Sequence, residues 1–175
     1  MASVKWNLDP THSELGFKVR HLMITNVSGS FGNFSADVET EEEDFATAKV
    51  NFSADVATVN TGNEQRDGHL KSADFFDAEN HPKLTFESTK MEKVSGNDYK
   101  LHGNLSIRGT VKPATFDVEF GGIGKDPWGN TKAGFSLNGK INRNDWGLTW
   151  NAPIEAGGVL VSEDVKIHAE VQFAK

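Results

Sequence analysis

The sequence predicts an all-β chain folded as a single antiparallel barrel of eight strands, and three observations lead there. Val165, Ile167, Ala169, Val171 and Phe173 alternate without a break against Lys166, His168, Glu170 and Gln172, the mark of a strand with one buried face. The same period of two recurs along most of the chain, with turn-forming clusters between the runs. Polar residues hold the alternate positions of each run, so one face is solvated. A sheet of about eight such strands is most economically closed on itself, because closure removes unpaired edges.

Taken from the N-terminus, residues 6–8 form a short candidate strand, followed by Leu15, Phe17 and Val19, and then by residues 34–38. Val50, Phe52, Ala54 and Val56 make the next run, and Leu84 with Phe86 a shorter one. Leu101, Gly103, Leu105 and Ile107 follow, then Phe116, Val118 and Phe120, then Phe135, Leu137, Gly139 and Ile141. Ser95-Gly96-Asn97-Asp98, Gly121-Gly122 and Asp126-Pro127-Trp128-Gly129-Asn130 supply the positive and fixed φ values that chain reversals require, so consecutive strands should be mostly antiparallel hairpins. The acidic run Glu41 to Asp44 reads as a solvated turn. One segment departs from this pattern. Thr61-Gly62-Asn63-Glu64 fits a capping box and predicts a helix over residues 63–72; Gly68 weakens it by about 1 kcal/mol, and Pro82 disfavours helical geometry at His81. Leu70, Ala73 and Phe76 would share a face, so residues 63–78 are expected to form a short helical lid over one end of the barrel.

Composition narrows the function. A chain of 175 residues is the size of one domain, residues 1–175, and buries about 70% of its unfolded surface, enough to fold without staples. It has no cysteine, which excludes thiol catalysis and Cys-ligated metals. With 25 acids against 18 bases, its net charge of −7 repels phosphate backbones, so nucleic acid is not an expected partner. The first residues lack the basic start and apolar stretch of a signal peptide, and no run is long enough for a membrane span, which points to the cytoplasm.

The six histidines fall in no metal-ligand spacing, and no nucleophile elbow, phosphate loop or dinucleotide fingerprint is present. Carboxylate pairs arise by chance among so many acids, so no enzyme is predicted. Arg66-Asp67 and Arg143 with Asp145 each lie beside large apolar residues; they are candidates for ion clusters that pin the lid or for contacts to a ligand head group, and His69 joins them. The remaining aromatics would crowd the interior. A barrel of eight strands is just wide enough to be filled by side chains or to hold one small ligand, and periodicity leaves both open.

In order and spacing, several short stretches resemble a known family. They are Asp9-Pro10-Thr11-His12-Ser13, Phe17-Lys18-Val19-Arg20-His21, Gly29-Ser30-Phe31, Arg66-Asp67-Gly68-His69-Leu70, Asp74-Phe75-Phe76-Asp77 and His81-Pro82. Further on come Gly103-Asn104-Leu105-Ser106-Ile107-Arg108-Gly109, Lys112-Pro113, Ile141-Asn142-Arg143-Asn144-Asp145-Trp146-Gly147 and Asp164-Val165-Lys166-Ile167. Together they are similar to the YceI-like bacterial proteins, described as polyisoprenoid-binding and lipocalin-like in fold. Thr110-Val111 stands in the reverse of the family's usual order, and Trp146 replaces a commoner Phe.

The resemblance implies an elongated apolar tunnel that binds, sequesters or transports a long amphiphile: a polyisoprenoid, an isoprenoid quinone, or a fatty amide or acid, with no other cofactor. Its expected lining is Phe17, Val19, Phe31, Phe34, Phe52, Leu70, Phe75, Phe76, Phe86, Leu105, Ile107, Phe116, Val118, Phe135, Leu137, Ile141 and Trp146. Arg66, Asp67, His69, Arg143 and Asp145 would meet the head group or pair across the lid. Many relatives carry a signal peptide, which is not evident here. The resemblance admits a homodimer that no pattern in the chain requires. The rival expectation is a solid barrel that acts through its surface as a protein-interaction or stress-response module without bound lipid.

Overall fold

A computed structural model describes residues 2–22, 24–151 and 161–175. Its strands are β1 (Ser3–Leu8), β2 (Glu14–His21), β3 (Thr25–Phe31), β4 (Phe34–Glu41), β5 (Asp44–Asp55), β6 (Val59–Asn60), β7 (Lys83–Ser95), β8 (Asp98–Ile107), β9 (Thr110–Lys125), β10 (Thr131–Asn142) and β11 (Val161–Ala174), with one helix, α1 (Glu64–Lys71). Paired neighbours run β1-β4-β5-β7-β8-β9-β10-β11, and β11 returns to β1, so the sheet closes. β2, β3 and β6 extend the first staves at one end.

The strand segments thus make eight staves, because three staves are kinked. β1 and β2 both lie along the same edge of β11, at Phe173–Ala174 and at 161–170 respectively. Between them the chain turns at Pro10–His12, where Asp9 accepts from the Thr11 amide. β3 and β4 meet at Gly32-Asn33, held by Gly32 N–H to the Thr58 carbonyl and Asp55 N–H to the Asn33 carbonyl. The predicted antiparallel eight-stranded barrel is therefore the observed fold.

β3 was not expected. Its inward positions are Val27, Gly29 and Phe31, and its remaining residues are polar or small, so the apolar signal is thin. Gly121-Gly122 is not a turn but sits inside β9. The register jumps there from Gly134↔Gly122 to Phe135↔Phe120, so Gly121 is an extra residue and Gly122 takes φ +112, a bulge that bends the stave. The other two predicted reversals are turns, at Gly96-Asn97 and within 126–130, and the acidic run turns at Glu42-Glu43 with Glu42 at φ +53.

The barrel has a closed end and a lidded end. At the closed end Trp6 is fully buried, donates to Thr40 Oγ1 at 3.0 Å and packs 5.2 Å from Phe45. Phe45 in turn meets Phe120 at 5.0 Å and Phe135 at 4.9 Å. At the other end α1 and the turns after it bridge β6 to β7. The N-cap of α1 is Asn63, which accepts from the Arg66 amide, rather than Thr61. Thr61 is engaged elsewhere: its amide and hydroxyl both donate to Asp67 Oδ1, at 2.8 and 2.6 Å. The lid's second half is folded by Phe76 N–H to the Leu70 carbonyl and Ala78 N–H to the Lys71 carbonyl, both 2.9 Å.

Candidate functional site

Between floor and lid the barrel encloses a cavity of about 370 Å³. Its walls follow from the alternation: each stave points its odd or even set inward, so β2 contributes Phe17 and Val19, β3 Phe31, β4 Phe34, β5 Phe52 and β7 Phe86. Leu105 and Ile107 come from β8, Phe116 and Val118 from β9, and Phe135, Leu137 and Ile141 from β10. Leu70, Phe75 and Phe76 of the lid close the top, with Phe76 edge-on to Phe31 at 5.8 Å. Every expected lining residue is on the wall except Trp146.

The interior stays open despite so many rings because three inward positions are glycine. An ideal Cβ on Gly139 would lie 2.4 Å from Phe116 Cδ1, one on Gly103 2.4 Å from Phe86 Cζ, and one on Gly29 2.3 Å from Phe17 Cζ. Each phenyl ring therefore sits against bare backbone of a neighbouring stave, in space that a Cβ would take. A barrel of this size can be filled or hollow, and these pairs make it hollow.

Trp146 is displaced by a change of local geometry. β10 ends at Asn142, and residues Arg143–Trp146 form a 3-10 turn closed by Gly147 at φ +82, so the strand period no longer applies. The indole N–H donates to the Leu105 carbonyl at 2.7 Å, behind the wall. Asp145, on the same turn, is exposed and does not line the cavity.

Nor do the expected ion clusters form. Among the described residues no salt bridge joins Arg66 to Asp67 or Arg143 to Asp145. Arg66 donates from Nε to the Thr61 hydroxyl (2.8 Å) and from Nη2 to the Thr61 carbonyl (2.9 Å), and it borders the cavity. Asp67 is held by Thr61 outside the cavity, and that hydroxyl and amide lower its carboxyl below the ordinary value. The two residues thus pin the lid through one threonine.

Arg143 lies at the cavity's upper end and is 4% exposed. Its guanidinium donates to four carbonyls: Ser162 from Nε (2.8 Å), Leu148 (2.5 Å) and Trp150 (2.9 Å) from Nη1, and Val161 from Nη2 (3.2 Å). Burial lowers its pKa against the opposing influence of Glu163, yet a guanidinium remains charged. It stacks 5.8 Å from the centre of the Phe75 ring. His69 packs edge-on against both Phe75 (5.1 Å) and Trp150 (4.6 Å), and Nε2 meets Asp74 at 2.8 Å. Arg143, His69, Phe75 and Trp150 are therefore one cluster under the lid.

Trp150, Phe45 and Met91 also line the cavity and were not anticipated. Leu148 and Trp150 both reach it, a period-two signal too short to stand out. Phe45 is separated from Ala48 by a register shift in β5, which breaks the alternation through Val50 and Phe52. Among the described residues no group of three His, Asp or Glu could hold a metal ion. The site as built offers an apolar lumen with its polar groups gathered at one end.

Comparison with known proteins agrees with this geometry. Residues 6–173 match the YceI-like domain. A UPF0312 protein of Staphylococcus aureus strain N315 is 41% identical over 170 residues, 97% of this chain and 96% of that one. The crystal structure of a Campylobacter jejuni YceI protein superposes with a TM-score of 0.78 at 37% identity, covering 89% of this chain and 88% of that one. The structure of a polyisoprenoid binding domain from Saccharophagus degradans, at 14% identity, shares the fold with a TM-score of 0.64 over 97% of each chain.

Proposed function

This chain belongs to the YceI-like family, and we propose that it binds one long apolar amphiphile, tail inside the barrel and head at the lidded end, as a carrier or sequestering protein rather than an enzyme. The observation that carries the reading is the 370 Å³ cavity walled by apolar side chains from every stave. It is more than twice the roughly 150 Å³ apolar cavity that already admits benzene, and it holds about a dozen methylene-sized groups at ~30 Å³ each. At about 0.8 kcal/mol per buried methylene the tail contributes roughly 10 kcal/mol before association and ordering costs. Tail length therefore dominates affinity. Polyisoprenoids, isoprenoid quinones and fatty amides or acids all fit that description, and the Saccharophagus degradans relative in fold is named for polyisoprenoid binding. A solid barrel acting only through its surface has no use for such a lumen.

The test is native mass spectrometry of the purified protein, with organic extraction and identification of any lipid that co-purifies. A stoichiometric long-chain species is expected. Phe52→Asp, which puts a carboxylate on the wall, should abolish uptake in a variant that still melts cooperatively. A protein that gains no mass on incubation with isoprenoid quinones, prenols, fatty amides and fatty acids would sink the proposal.

A further inference from the structure

We infer that the polar end of the cavity is an anion site, so that the amphiphile this barrel takes carries a carboxylate or phosphate monoester head in preference to a hydroxyl or an amine. The inference rests on the lipid-binding reading above and narrows it. Among the described residues, every ionisable group on the cavity wall is an arginine or a histidine: Arg20, Arg66, Arg143, His21 and His69. No Asp, Glu or Lys among the described residues lines it, in a chain with 25 acids and a net charge of −7. The chain has 25 acids against 18 Lys and Arg and 6 His, so a wall drawn at random from it would be about half acidic, and the selection of Arg and His is local.

Arg143 is the centre of the site. A buried guanidinium is ordinarily matched by a carboxylate, and removing that match leaves a costly uncompensated charge. Here four of its five N–H groups go to carbonyls, which satisfy hydrogen bonds but supply no opposite charge. Among the described residues no carboxylate forms an ion pair with Arg143, Arg66 or Arg20. Glu163, whose field Arg143 feels, is exposed and not on the wall.

The neighbouring groups converge on the same end. His21 stands opposite Val161 in the β2–β11 pairing, and the Val161 carbonyl accepts from Arg143 Nη2. His69 shares Phe75 and Trp150 with Arg143. Among the described residues Arg66 Nη1 has no hydrogen-bond partner beyond the two bonds its Nε and Nη2 make to Thr61. Arg20 is exposed at the rim. An acceptor-only anion placed there gains charge-assisted hydrogen bonds, which are about twice as strong as neutral ones; a hydroxyl gains little, and an ammonium is repelled.

The experiment is calorimetric titration of the delipidated full chain with two matched sets: palmitate, hexadecanol and hexadecylamine, then geranylgeranyl phosphate and geranylgeraniol. Palmitate is expected to bind at least tenfold tighter than hexadecanol, about 1.4 kcal/mol, with the amine weakest. Comparing that ratio with the phosphate-to-alcohol ratio assigns the head as carboxylate or phosphate. The preference should shrink as salt is raised, and in the double variant His21→Gln, Arg66→Gln the acid-to-alcohol ratio, which cancels any effect on the lid common to both probes, should fall to within about threefold. Arg143→Gln removes the carbonyl anchors and endangers folding, so the series on the unaltered chain decides. Equal affinity for acid and alcohol in both sets overturns the anion site and leaves lipid binding standing. Failure of every probe to bind overturns both.

Discussion

Gly139→Ala isolates the device that keeps the lumen open. Gly139 has no positive φ, so alanine there meets no backbone strain, and the only obstruction is the Phe116 ring, 2.4 Å from the new Cβ at Cδ1 and 3.1 Å at Cε1. Ordinary contact begins near 3.4 Å, so the ring must retreat by about 1 Å, and with β10 behind it the only space is the cavity. Overpacking of this kind costs about 1–3 kcal/mol, or about 2–12 °C in melting temperature for a chain of this length. A ring face moved by about 1 Å also takes roughly one methylene's volume, ~30 Å³, from the cavity. That loss weakens the longest chain that fits by about 0.8 kcal/mol, near fourfold, and leaves shorter chains unaffected. Thermal melts and titration with a series of tail lengths read both effects. The decisive arm is a double-mutant cycle: Phe116→Leu removes the ring, so Gly139→Ala in that background should cost less, with a coupling of about 1 kcal/mol or more. Additive destabilisation would show that the ring does not rest on the glycine, and the account of the open lumen would fail.

Trp146→Phe removes the buried donor to the Leu105 carbonyl and should destabilise by about 1–2 kcal/mol by denaturant titration, with tail-length preference unchanged because Trp146 stands behind the wall. Arg143→Lys should cost about 3 kcal/mol or more in the same assay, since an ammonium has three donors and no planar fork for four carbonyls; stability within 1 kcal/mol of the parent would contradict the anchoring role. Asp9 accepts from Lys132 Nζ (2.7 Å), His12 Nδ1 (2.8 Å) and Thr11, and these bonds, Lys132 first, hold its carboxyl far below the ordinary range. A depressed carboxyl contributes stability that is complete above the unfolded-state value, about 4, and is lost as pH falls toward the folded value. The stability gap between the parent and Asp9→Asn should therefore be flat from neutral pH to about 4 and close below it; a gap that widens on acidification would reverse the assignment.

The sequence spelled out the staves better than the joints between them. Runs such as 165–173 carry both the strand and its face, because burial of one side imposes a period that side chains alone reveal. β3 was hidden because one of its three inward residues, Gly29, contributes an absence that only Phe17 of β2 fills. The capping residue of α1 was misjudged because Thr61 is as good a cap as Asn63 until Asp67 claims its hydroxyl, a contact six residues away. The cavity wall was largely legible, since alternation assigns inward residues without knowing what they surround. Trp146 was misplaced because a 3-10 turn ends the period four residues before it. The roles of the charged residues were least legible: spacing suggested Arg–Asp pairs, but Arg143 is held by backbone carbonyls, which carry no signature in sequence.

The aromatic cluster of Trp6, Phe45 and Phe135 stands across the end of the lumen opposite the lid, so a tube with that floor has one door. For the carrier proposed above, whatever goes in must come out by the same door, and in reverse. The tail leads on the way in, and the head is the last part to arrive and the first to leave. A donor need only expose a tail, whereas an acceptor must grasp the head before the tail is drawn free. Two cargoes cannot pass each other, so an incoming molecule waits for the resident to depart. On the proposed carrier reading the protein holds and hands over one molecule at a time past the lid formed by Leu70, Phe75 and Phe76.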